Sequence, residues 1–227
     1  MSTKSPPHLE GPMTLRKRTQ VMGWGVALAV GGGWGVCCWA GDAVAGRWGV
    51  PCVGESTCPV LLGPLNIGSA WLVLAFVVGA QALTLGQGGW YGVTTLATAA
   101  SLYAVAYQLD PLLASVRRFP EGGIVWGLVA VGAGVLMGAA GAAWQRQLPG
   151  WDIAAVALLA CALVGEARIA VTLYPADTTA MGPGWRTLVI GSELMGGLLL
   201  PWLLLRTWRA RWLGALPTLG LTSFFLG

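Results

Sequence analysis

Charge is what this sequence has least of. Only 10% of its 227 residues are Asp, Glu, Lys or Arg, against 56% that are apolar, whereas an ordinary soluble domain carries about 25% charged residues. Histidine is nearly missing too. The single one, His8, sits near the N-terminus, which excludes paired-imidazole haem ligation, Ser-His-Asp hydrolysis and histidine-built metal sites in the apolar remainder. There is no Walker A sequence, no dinucleotide fingerprint, no H-E-x-x-H and no C-x-x-C, so no catalytic, cofactor or metal residue is expected. The thirteen Lys and Arg residues and the net charge of +4 do not imply nucleic acid, because no one element concentrates the charge needed to follow phosphates. Lysine is the scarcer base, two against eleven Arg, a bias associated with GC-rich bacterial coding sequences.

What the chain has instead is long uncharged runs. A membrane-crossing helix needs about 20 predominantly apolar residues. Between Arg18 and Asp42 lie 23 uncharged residues, between Glu55 and Asp110 lie 54, and between Glu121 and Arg146 lie 24. The longest run suits two helices, broken at Gly86-Gln87-Gly88-Gly89, where glycine makes a tight turn inexpensive. The expectation is an all-α polytopic bundle of six spans: Met22 to Ala40, Ile67 to Leu85, Trp90 to Leu109, Gly123 to Trp144, Ile153 to Tyr174 and Thr187 to Leu205. The fifth should stop before Pro175, and Pro201 should kink the sixth.

Three domains follow. Residues 1–20 form a polar, disordered tail. Residues 21–211 form the membrane domain, with an outer loop over 41–66. Residues 212–227, apolar but only sixteen long and broken by Pro217, read as interfacial or re-entrant, with a seventh span as the alternative. Lys4, Arg16, Lys17 and Arg18 precede the first span and Arg206, Arg209 and Arg211 follow the sixth, so the positive-inside rule puts both termini in the cytoplasm of a cell-membrane protein. Arg117-Arg118 is the weak point of that assignment. Ala43-Val44-Ala45 after a basic start and an apolar run also resembles a signal-peptide cleavage site, although the run is longer than such peptides use.

Few residues are left to carry chemistry. Cys52 and Cys58 share the outer loop, where an oxidising compartment would keep a disulfide. With Cys37 and Cys38 at the outer end of the first span, the alternative is a thiol-disulfide relay; otherwise those two are small apolar helix residues. Gln87, Tyr91, Thr94, Thr98, Ser101 and Gln108 recur at spacings of three, four and seven, a polar stripe on one face of the third span. It serves either as a polar path for solute or as interhelical hydrogen bonding. Gly31-Gly32-Gly33 and the G-x-x-x-G of Gly134 and Gly138 are expected to pack helices closely, with homodimerisation the lesser reading of the second. Glu166, Arg168 and Glu193 fall inside predicted spans, where ionisable groups are costly and mark either function or a structural ion pair. Counting from the connection between spans five and six sets Arg168 level with Glu193 and makes them the expected pair.

Gly63-Pro64-Leu65, then Ser69-Ala70-Trp71-Leu72-Val73-Leu74-Ala75-Phe76 with Gly79, the fourth span ending Gly141-Ala142-Ala143-Trp144, and Gly165-Glu166-Ala167 resemble an uncharacterised family of small multi-pass membrane proteins from high-GC Gram-positive bacteria. The resemblance extends over residues 20 to 206 and carries neither an activity nor a catalytic residue. The functional expectation is a non-enzymatic accessory, sensor or small-solute permeation unit. Its expected partner is the lipid bilayer, with a membrane-protein partner or a second copy of itself as the further candidates. A membrane enzyme, such as a thiol oxidant using Cys37, Cys38, Cys52 and Cys58, is the rival.

Overall fold

The computed structural model describes residues 12–47, 68–110, 120–173 and 183–226. Within them the chain is all α-helix: α1 (Pro12–Arg47), α2 (Gly68–Gly79), α3 (Leu85–Leu109), α4 (Pro120–Gln145), α5 (Trp151–Leu173), α6 (Pro183–Leu204) and α7 (Trp208–Leu226). Gly23–Gly41 and Gly127–Gln145 are long and apolar enough to cross a membrane, and Gly68–Gly79 and Ile190–Leu204 are shorter apolar stretches. The six expected spans are therefore met only in part. Threonine, glutamine and tyrosine dilute the apolar content of α3, and Asp152, Glu166 and Arg168 interrupt α5.

Glycine sets the packing. The most extensive contact is between α3 and α4, where Gly88 and Gly92 of one helix meet Gly138 and Gly134 of the other. A β-carbon at Gly138 would run into the backbone of Gly88, and one at Gly92 into that of Gly134. Two G-x-x-x-G stretches thus face each other, which lets the antiparallel backbones touch. Helix α1 lies parallel to α3 by the same device: Gly31 and Gly35 sit against the carbonyls of Thr95 and Ala99, and Trp24 meets Tyr91 edge-on at 5.1 Å between ring centres. The close packing expected of Gly134 and Gly138 is found inside the bundle. Of the glycine triplet, Gly31 and Gly32 meet α3 while Gly33 faces open space.

The turn expected at 86–89 lies elsewhere. Helix α2 stops at Gly79, and α3 starts at Leu85, with Thr84 as its N-cap accepting from the Gln87 amide at 3.1 Å. Gln87 Oε1 in return accepts from the Leu83 N–H at 3.2 Å. This reciprocal pair satisfies donors that a helix start leaves open. Gly88 and Gly89 then serve as packing surface against α4 rather than as a hinge.

Both chain ends depart from expectation. Helix α1 begins at Pro12, inside the segment read as a tail, and continues past Ala43, which is buried beside Tyr107. The apolar C-terminal segment belongs to a helix of 19 residues, about 28 Å long. Ala210 packs with Leu205 and Val156, Gly214 lies against Pro201 and Leu205, and Ala215 and Thr218 are buried. Helix α7 therefore turns back along α6, and Pro12 and Leu226 lie at opposite ends of the bundle. At the end where α7 begins, Trp144 Nε1 donates to Leu204 O at 3.0 Å, Arg146 Nη1 to Leu83 O at 2.5 Å and Arg211 Nε to Leu205 O at 2.8 Å.

Candidate functional site

Ser69 is the lone polar side chain between Asn66 and Gln81, and it is buried in the first turn of α2. Its hydroxyl donates to Glu193 Oε1 on α6 at 2.5 Å. One residue earlier, the Gly68 N–H donates to Glu166 Oε1 on α5 at 3.3 Å. The start of α2 thus touches both acids singled out in the sequence, one through a backbone donor and one through a side chain. A β-carbon at 68 would sit 2.9 Å from Glu166 Oε2, so a side chain there would push the carboxylate aside.

Glu193 is 4% exposed. Its second oxygen, Oε2, is buried and has no hydrogen-bond partner among the described residues, and Glu166 lies within electrostatic reach. Glu166 is half-buried and Gly68 is exposed, so the pair is closed on the Glu193 side and open on the Glu166 side. Glu166 lies seven residues before the end of α5, about 10 Å, in the half of the bundle opposite Arg146 and Arg211.

Glu166 and Glu193 are brought together; Arg168, the third residue of the expected cluster, is exposed. The predicted pairing of Arg168 with Glu193 is not formed, and the helix contact explains it. Gly197 lies against Ala160 and Val164, and Gly196 against Leu163. Moving three or four residues back along α6 to Glu193, and the same distance forward along α5, arrives at residues 164 to 168, centred on Glu166 with Arg168 at the edge. Rotation acts the same way. At about 100° per residue, the buried Ala155, Val156, Leu159, Ala160, Val164 and Ala167 cover one half of α5; Glu166 falls within that arc and Arg168 beyond it.

The polar stripe on α3 divides. Tyr91 is buried, Thr94 and Thr98 are half-buried, and Ser101 and Gln108 are exposed. Gln87 is spent on the helix cap. Thr95, outside the stripe, is fully buried; its Oγ1 donates to the Tyr91 carbonyl at 2.8 Å, the back-bond by which threonine hides in a helix. Cys37 is exposed, Cys38 buried and Cys161 half-buried; Cys52 and Cys58 lie outside the described residues. Among the described residues no three His, Cys, Asp or Glu side chains gather as a metal site would require.

Sequence reasoning found both acids and missed their partner. Ser69 carried a readable signal as a solitary hydroxyl in an apolar run, since such a group must find an acceptor once removed from water. A second feature also went unread: Trp90 and Trp151 are each 64% exposed, and Trp24 and Trp212 are 40% and 43% exposed, all towards the end that carries Arg146 and Arg211.

No curated protein matches the chain, and no solved structure does. One family profile matches, over residues 63–226, a range that contains every motif of the resemblance drawn from the sequence and both carboxylates. The chain belongs to a family of unknown function, DUF6518.

Proposed function

We propose that the protein is an integral membrane protein, a seven-helix bundle whose Arg-bearing end faces the cytoplasm, and that it acts without catalysis as a small-solute binding or permeation unit. The observation that carries this reading is apolar exposure along the whole bundle. Leu128 is 69% exposed, Leu136 59%, Leu203 75%, Met195 63% and Leu216 56%, on three different helices, where a water-soluble bundle would present charge. Helices packed through glycine rather than large side chains suit a lipid solvent, which offers no hydrophobic force between helices. Exposed Trp24, Trp90, Trp151 and Trp212 near one end fit a headgroup-level aromatic belt, and Arg146, Arg206, Arg209 and Arg211 beyond them fit a cytoplasmic face. With α7 as a full crossing, the N-terminus is cytoplasmic and the C-terminus external, in place of the two cytoplasmic ends expected from six spans.

The test is fractionation of cells expressing the chain. Retention in the membrane pellet after alkaline carbonate and release by detergent are the expected result; release by carbonate alone removes the reading. The external loop then also keeps the Cys52–Cys58 disulfide as part of the proposal. Alkylation of denatured, unreduced protein should modify Cys37, Cys38 and Cys161 and spare this pair, and modification of all five refutes the disulfide.

A further inference from the structure

The carboxylate pair is short of donors. Three of its features are independent of one another: a hydroxyl already committed to Glu193 Oε1, a backbone N–H committed to Glu166 Oε1, and a buried Oε2 on Glu193 that nothing within the described residues satisfies. Burying an ionised or polar oxygen without a partner is costly. An occupant that settles the site with both acids ionised must bring hydrogen-bond donors, and positive charge to offset two carboxylates.

We infer that Glu193, Glu166 and Ser69 form a binding site for the primary ammonium group of a small amine, which donates to Glu193 Oε2 and lies against the Glu166 carboxylate. An ammonium carries three donors and no acceptor, which matches a site with free acceptors and both its donors spent. A bare metal ion matches poorly. Calcium takes six to eight oxygen ligands and magnesium a near-ideal octahedron, whereas no three acidic, cysteine or histidine side chains converge among the described residues. A quaternary ammonium matches poorly as well, having no N–H to give Oε2. Entry is from the Glu166 side, where Gly68 is exposed and the absence of a side chain keeps the Glu166 carboxylate close to the start of α2.

This inference rests on the reading of the bundle as a solute-binding unit but not on its orientation, because binding is measured on full-length protein in detergent. Methylammonium chloride is titrated against tetramethylammonium chloride and sodium chloride at equal ionic strength, with the melting temperature as readout. Methylammonium should give a saturable rise, about 2–4 °C at roughly five times Kd, and the other two salts no saturable rise. Glu193→Gln should abolish the response. If that variant does not fold, Glu166→Gln supplies the second measurement, with at least tenfold weaker methylammonium binding expected. An equal response to sodium or tetramethylammonium overturns the assignment to a primary ammonium. No response in the unaltered protein, or an undiminished response in the folded variant, overturns the site. Carbonate release of the chain would count against the membrane reading alone.

Discussion

Helices α3 and α4 and helices α5 and α6 are both tightly packed antiparallel pairs, yet they are built for different ends. In the first, glycine faces glycine: Gly88 and Gly92 meet Gly138 and Gly134 backbone to backbone. In the second, Gly197 admits Ala160 and Val164, but one turn further along α6 the contact ends in Glu193, with Ser69 of α2 reaching across to it. The first pair gains stability from dispersion at close range. The second gives up some of that packing to hold a carboxylate with an unsatisfied oxygen.

That contrast is broken most severely at Gly138. A leucine there drives its side chain into the Gly88 backbone, so Gly138→Leu should abolish recoverable folded protein in size-exclusion chromatography. Even the single methyl of Gly138→Ala should cost about 1–3 kcal/mol, as overpacking does. Gly132→Leu, six residues away on the same helix but with nothing within 4 Å, should change stability by no more than about 0.5 kcal/mol. Comparable losses at both positions would mean that α3 and α4 do not meet through their glycines.

The polar interface should respond less. Ser69→Ala leaves Glu193 Oε1 without its donor, at a cost of about 1–3 kcal/mol, seen as a fall in melting temperature of about 2–4 °C per kcal/mol. Arg168→Ala, at an exposed position, should cost less than Ser69→Ala, and a larger loss than at Ser69 would restore arginine as the acid's partner. The smallest loss expected of a structural contact is at the cap: Thr84→Ala should cost about 1 kcal/mol, whereas a turn at residues 86–89 would make it neutral.

The apolar runs made the helices legible, because charge-free stretches of this length have few other uses. Glu166 and Glu193 were legible as well, through the cost of burying them. What the sequence hid was rotation and register. In an amphipathic helix the polar face reveals which way a residue points, but α5 is apolar nearly all round, so nothing distinguished the buried direction of Glu166 from the exposed one of Arg168. Register failed for a related reason. Counting from the loop assumed that α5 and α6 were offset only by their ends, whereas the Gly196 and Gly197 contacts set the offset. The early start of α3 was readable in Thr84 and Gln87, a cap spacing overshadowed by the glycines that follow.

The central claim, a bundle crossing the bilayer with its arginine end inside, is tested most directly by two single cysteines in a chain otherwise cleared of them. Gln81 and Gln108 are both exposed, Gln81 in the turn after α2 beside the Arg146 end and Gln108 in the last turn of α3 at the other. On intact cells a membrane-impermeant maleimide should label Gln108→Cys and reach Gln81→Cys only after permeabilisation. Equal protection of both would contradict a membrane-crossing bundle, and the reverse pattern would contradict its orientation.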